Sequence, residues 1–222
     1  MTRPLVTLKL ATSLDGKIAL ANGMSEWITC EKSRTEGRKL RARHEAIAVG
    51  SNTAVLDNPQ LTTRILGQPN PVRIVFDSHL RVSPKSNLAL TAQETPVWIF
   101  TKVVDGAAVD KLSELGVRII NMAVFPADSN RGIDVTAALQ ILYENGIKTL
   151  LVEGGGTLAA SFIKLGVIDV IEWFRAPVIL GGDGRSAIGA LGLETLNLVH
   201  EFSRISVTEL GEDIHERYER RL

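Results

Sequence analysis

The chain is short of cysteine. Its single one, Cys30 among 222 residues, excludes an internal disulfide framework and a multi-cysteine metal site. It also lacks an excess of either charge: 25 Lys and Arg balance 25 Asp and Glu. A general nucleic-acid or membrane-surface role needs a basic surplus, so neither partner is expected. No apolar run approaches the ~20 residues of a membrane helix. Met1-Thr2-Arg3-Pro4 passes straight into an apolar strand, without the long apolar region of a signal peptide. A cytoplasmic protein is the expectation. His44, His79, His200 and His215 are scattered and read as structural or exposed, so no metal site is expected. There is no repeat, low-complexity tract or clear linker, and a content of 45% hydrophobic residues suits one globular domain over 1–222.

What the chain does have is a stretch of Leu150-Leu151-Val152-Glu153 followed by Gly154-Gly155-Gly156 and then Thr157-Leu158-Ala159-Ala160-Ser161. An apolar strand ends in an acid, turns on three glycines and enters a helix. A helix N-terminus presents unpaired N–H groups and partial positive charge, which suits phosphate. Glycine lets the main chain approach an anion closely. A second junction, Val49-Gly50-Ser51-Asn52-Thr53, has the same character. Two cradles suit a ligand with separated phosphates, or a cofactor with a phosphorylated substrate; each also reads as an efficient turn with a hydroxyl cap. Gly154, Gly156 and Ala159 satisfy G-x-G-x-x-A, but late in the chain and ahead of consecutive strands, which disfavours a standard dinucleotide-binding dehydrogenase.

Strand signals at 5–11, 46–49, 72–76, 97–100, 117–120 and 150–153 alternate with helix signals at 31–44, 107–115, 134–145 and 157–165. Strands at 170–174, 202–210 and 214–218 then follow one another. The first pattern predicts an α/β fold with a mixed, mainly parallel sheet flanked by helices; the second adds antiparallel C-terminal strands. Asp134 is the expected N-cap of its helix, with Gly146 closing it. Gly37, inside the 31–44 helix, costs roughly 1 kcal/mol against alanine.

Arg34, Arg38 and Arg41 share one helical face, either solvated or gripping a phosphate. Lys9 sits in an apolar strand. There it needs a partner, for which Glu153 and Asp57 are candidates, unless it lies at the rim of an edge strand. Ser78 and Arg81 follow a strand and suit a ribose 2′-phosphate; an ordinary polar turn suits them equally. Arg64, alone after Leu61-Thr62-Thr63, reads as a surface residue.

Several segments, in order, resemble the riboflavin-biosynthesis pyrimidine reductases, the RibD C-terminal domain family. They are 7–17, Ser25-Glu26-Trp27-Ile28-Thr29, Leu40-Arg41-Ala42, 53–64, Val75-Phe76-Asp77-Ser78, 152–158 and 176–183. The resemblance implies a dihydrofolate-reductase-like fold, often as a homodimer. It also implies NADPH-dependent reduction of the ribosyl group of a ribosylamino-pyrimidine 5′-phosphate to ribityl. It places Ala11, Trp27, Thr53, Asp57, Ser78 and the run Gly155, Gly156, Thr157, Leu158, Ala159, Ala160 and Ser161 at the cofactor. It places Ser25, Arg41, Leu61, Arg64 and Glu153 at the substrate, which moves Arg64 from the surface to a phosphate. Lys9, Asp57 and Glu153 fall around the reacting sugar as catalytic residues. The H-x-E and P-C-x-x-C set of a zinc deaminase is missing, so deamination is expected of another protein. Met24, Gly37, Asn58 and Arg175 depart from the family pattern. Two other readings stand beside this one: a related reductase for another pteridine or pyrimidine, and a nucleotide-binding protein without chemistry.

Overall fold

The protein is described here by a computed structural model covering residues 2–26, 28–123 and 132–221. In chain order its elements are β1 (Leu5–Thr12), β2 (Lys17–Ala19), α1 (Glu31–Ala42), β3 (Ala46–Gly50), α2 (Ser51–Leu56) and β4 (Val72–Phe76). Then come α3 (Asn87–Leu90), β5 (Val97–Thr101), α4 (Ala107–Glu114), β6 (Arg118–Asn121), α5 (Val135–Glu144) and β7 (Thr149–Glu153). The chain closes with α6 (Gly156–Lys164), β8 (Val170–Arg175), β9 (Arg185–Ser186), a 3-10 turn (Leu196–Leu198), β10 (Phe202–Leu210) and β11 (Asp213–Arg220). The main sheet is mixed and mainly parallel, with antiparallel C-terminal strands, and helices flank it, as the order of signals predicts. The chain divides into two compact units, Met1–Pro4 with Arg41–Leu151, and Leu5–Leu40 with Val152–Leu222.

In the first unit β3, β4, β5 and β6 lie side by side, all parallel. Ala46, Ile47, Ala48, Val49, Ile74 and Val75 are fully buried, as strands covered on both faces require. α5 begins where Asp134 accepts a hydrogen bond from the Ala137 N–H at 3.0 Å. It buries Val135, Ala138, Leu139 and Leu142, one apolar face at helical spacing. Arg73 breaks the apolar run of β4 yet is wholly buried. Its guanidinium donates to the carbonyls of Gln60 and Thr91 and to Thr91 Oγ1 at 3.2, 2.9 and 2.8 Å, and also to the Thr95 carbonyl. Burial pulls its pKa down to about 10, against the raising influence of Glu94.

In the second unit β8 pairs parallel with β1 and antiparallel with β11, and β10 pairs antiparallel with β11. β1 alternates: Val6, Leu8, Leu10 and Thr12 are buried on one face, while Lys9 and Ala11 stand half-buried on the other. α1 turns Ser33, Gly37 and Leu40 inward, at i, i+4 and i+7. The pair β2 and β9 forms a separate two-stranded sheet that the sequence reading did not anticipate, because strands of three and two residues show no period. Asp15, in the turn between β1 and β2, holds it in place. Its carboxylate accepts from Ser13 Oγ at 2.6 Å and from the Leu180 and Gly181 N–H groups at 3.1 and 2.8 Å. The Ser13 hydroxyl and those amides bring its pKa down to about 2.

Candidate active site

Lys9 finds the partner a covered strand demands. Its Nζ lies 4.0 Å from Glu153 Oε2, with the two side chains 20% and 12% exposed. The Phe174 ring centroid lies 5.7 Å from the same ammonium. Above it α1 presents Gly37, where an added Cβ would stand 3.6 Å from Lys9 Cε. That is ordinary van der Waals contact, so α1 packs directly over the lysine stem. Asp57, the other candidate partner, is the exposed C-cap of α2 in the first unit, with its N–H on the Thr53 carbonyl.

The three glycines after Glu153 have three different tasks. Gly154 adopts φ 135°, which a side chain rarely tolerates. Gly156 packs against the protein's own chain: a Cβ there would stand 2.5 Å from the Ser186 carbonyl, and the Gly189 N–H donates to the Gly156 carbonyl at 2.9 Å. Gly155 faces open space, with nothing within 4 Å of an added Cβ. It is the N-cap of α6 and offers no side-chain cap. Close approach to an anion therefore does not account for Gly156, which serves the chain's own packing. Beyond it, Leu158, Ala159 and Ala160 are buried, the N–H groups of Leu158 and Ala159 donate to the Gly155 carbonyl, and Ser161 Oγ donates to the Thr157 carbonyl.

The first unit carries the other expected residues. Thr53 is half-buried in α2. Ser78, after β4, pairs its hydroxyl with His79 Nδ1 at 2.9 Å, while Arg81 donates to Asn52 Oδ1 at 2.6 Å. Arg41 donates to the Thr62 carbonyl at 3.0 Å, so it braces the 57–64 loop. Within that loop Asn58, Leu61 and Arg64 take positive φ values of 39°, 56° and 51°. Leu61 is buried and Arg64 exposed. Non-glycine residues in this region cost energy and gather at functional sites.

In the second unit Ala11 is half-buried and Ser25 exposed. Trp27 lies outside the described residues. Arg34 and Arg38 meet the same Glu31 carboxylate at 2.6 and 3.1 Å, which offsets part of the charge on their shared face. Glu31, three residues before Arg34, was the sequence signal for this.

One cluster escaped sequence reasoning. Buried Glu172 on β8 meets His215 Nε2 at 2.7 Å and Arg217 Nη1 at 2.5 Å, both on β11. The His215 ring stacks on Phe174 with centroids 4.3 Å apart. Burial pushes the Glu172 carboxyl up, but the His215 hydrogen bond and the Arg217 and His215 charges outweigh it and hold the pKa below the usual range. No spacing along the chain links these residues; only the antiparallel register of β8 and β11 does.

The chain matches the family described as RibD C-terminal domain over residues 4–215. It is 38% identical over 214 residues to the riboflavin biosynthesis protein RibD of Bacillus amyloliquefaciens, covering 95% of this chain and 56% of that protein. It is also 35% identical to a 2,5-diamino-6-ribosylamino-4(3H)-pyrimidinone 5′-phosphate reductase of Methanothermobacter thermautotrophicus, covering 97% of this chain and 98% of that one. Among solved structures, RibD of Acinetobacter baumannii aligns with a TM-score of 0.84 at 28% identity, over 100% of this chain and 59% of that chain. The chain spans little more than half the length of the RibD proteins it matches.

Proposed function

Since this chain belongs to the RibD C-terminal domain family, we propose that it is an NADPH-dependent reductase of riboflavin biosynthesis. It converts the ribosyl group of a ribosylamino-pyrimidine 5′-phosphate to ribityl. The observation that carries the reading is the match to a ribosylamino-pyrimidinone 5′-phosphate reductase along nearly the whole of both chains. Lys9 and Glu153, held together beside that reductase-like glycine turn, support it.

The residues present fit the cofactor. Gly155 opens α6 with clear space and no side-chain cap, as a phosphate at a helix N-terminus requires. In this reading the run 155–161 holds NADPH together with Ala11, Trp27, Thr53, Asp57 and Ser78. Bound NADPH supplies the hydride; the protein supplies position and electrostatics. Arg41, Arg64, Ser25 and Leu61 bind the substrate, with Arg41, Arg64 and Ser25 on its phosphate, so remote binding energy positions C1′. The sugar must open at C1′ to an imine-like form, and that requires proton transfer. Lys9 and Glu153 hold and deliver the proton, and Asp57 orients them. A cytoplasmic homodimer completes the proposal.

The test is loss of reduced-nicotinamide absorbance with the purified chain and each of two substrates, the diamino-pyrimidinone and the deaminated ribosylamino-pyrimidine phosphate. Oxidation coupled to one of them is expected. NADPH binding with no turnover of either overturns the reading in favour of a non-catalytic nucleotide binder.

A further inference from the structure

Lys9 stands on a strand flanked by two others that each carry a carboxylate. β1 lies between β7 and β8, and Lys9 is the in-register partner of Glu172, so the two side chains leave the sheet on one face. Glu153 reaches the same ammonium from β7. A lysine so placed is drawn both ways, since opposite charges on adjacent strands attract strongly where water is scarce. Yet both oxygens of Glu172 are engaged from β11: Oε2 by His215 and Oε1 by Arg217. His215 cannot swing away freely. Its ring lies flat on Phe174, 1° from parallel, and Phe174 in turn contacts the Lys9 ammonium.

Resting on the reading of Lys9 and Glu153 as the proton-handling pair, we infer that His215 and Arg217 are positioning residues: by occupying Glu172 they reserve Lys9 for Glu153. Neither touches the reacting atoms. Their effect passes through Glu172, which becomes a competitor for Lys9 as soon as one of its oxygens is released. Arg217 also binds Glu219, at 3.0 Å, and that pairing fixes the guanidinium over the strand.

The experiment measures NADPH oxidation with the accepted pyrimidine phosphate for His215→Leu, His215→Gln and Arg217→Met, and for His215→Leu and Arg217→Met each combined with Glu172→Gln. Removing a donor should lower kcat by about tenfold while KM for NADPH stays within about twofold. His215→Gln keeps a donor to Glu172 and should retain most of the turnover. Glu172→Gln, added to either deficient variant, removes the competing charge and should regain most of the lost kcat. A merely structural role predicts the opposite, because a second buried substitution compounds the damage. Arg217, with its side chain 37% exposed, is replaceable without opening the core, so this arm stands even where His215→Leu fails to fold. Wild-type kcat in Arg217→Met, or no recovery on adding Glu172→Gln, overturns the inference alone. A wild-type chain that oxidises no NADPH with either pyrimidine overturns the functional reading and this inference with it.

Discussion

Lys9 Nζ and Glu153 Oε2 lie 4.0 Å apart, at the outer limit of an ion pair, with both side chains only partly exposed. A pair so placed keeps its charges close without being locked into a short hydrogen bond. Lys9→Ala and Glu153→Gln should each lower kcat by about a hundredfold or more, the usual scale for a lost acid–base group. NADPH affinity, measured by fluorescence titration, should change little. Near-normal kcat with weakened NADPH binding would move both residues from proton transfer to cofactor binding.

Arg64 has a φ of 51°, so its backbone carries strain that glycine would not. Left-handed residues with a Cβ cost about 1–2 kcal/mol, while glycine loses roughly 0.5–1 kcal/mol in chain entropy. Arg64→Gly should therefore leave thermal stability unchanged or slightly raised. The same substitution removes the proposed phosphate ligand and should raise KM for the phosphorylated substrate about tenfold or more. An unchanged KM removes Arg64 from the phosphate site.

Gly156 leaves no room for a methyl group beneath the Ser186 carbonyl, 2.5 Å from where its Cβ would stand. Both contacts are backbone, so neither side yields easily. Gly156→Ala should destabilise the fold by about 1–3 kcal/mol. Gly155→Ala, facing open space, should cost far less stability; if the amides there bind NADPH, it should weaken that binding instead. Thermal unfolding with and without NADPH separates the two.

Arg73 is wholly buried and satisfies three main-chain carbonyls and the Thr91 hydroxyl. Arg73→Met would strip the charged donor from the buried Thr95 carbonyl and from the Gln60 carbonyl, while the Thr91 carbonyl keeps the Glu94 and Thr95 N–H groups. A loss of about 3 kcal/mol follows from the unmade hydrogen bonds. For a domain of this size that is roughly 6–12 °C in Tm. A fall of a degree or less would show that water replaces the guanidinium.

Asp15 has its pKa lowered from 3.8 to about 2 by Ser13 Oγ and two loop amides. The folded pKa is the depressed one. Its stabilising contribution is therefore present above the unfolded value and disappears as pH falls from about 4 to about 2. Asp15→Asn should unfold at a lower temperature than wild type at pH 7. The two curves should converge near pH 2 in acid titration of Tm. A gap independent of pH would assign the effect to amide geometry instead of charge.

The helix and strand pattern was readable because period is local. β1 alternates, α5 keeps its apolar face and its Asp134 cap, and consecutive C-terminal strands announce an antiparallel edge. The glycine turn was readable as a turn, but not the division of labour within it. That Gly156 serves the chain's own 186–189 segment depends on a loop thirty residues away. The burial of Arg73 in β4 is not legible locally, because its acceptors lie 13 to 22 positions away along the chain. The left-handed turns at Asn58, Leu61 and Arg64 leave no mark in residue type, since only Asn58 is common there.

By itself the sequence determined the element order and the covered parallel strands, which follow from local spacing and residue chemistry; the resemblance added the family. Tertiary structure alone decided that Glu153 lies beside Lys9 and that Glu172 is occupied by His215 and Arg217. Strand neighbours are chosen by sheet register, and register joins positions that distance along the chain keeps apart.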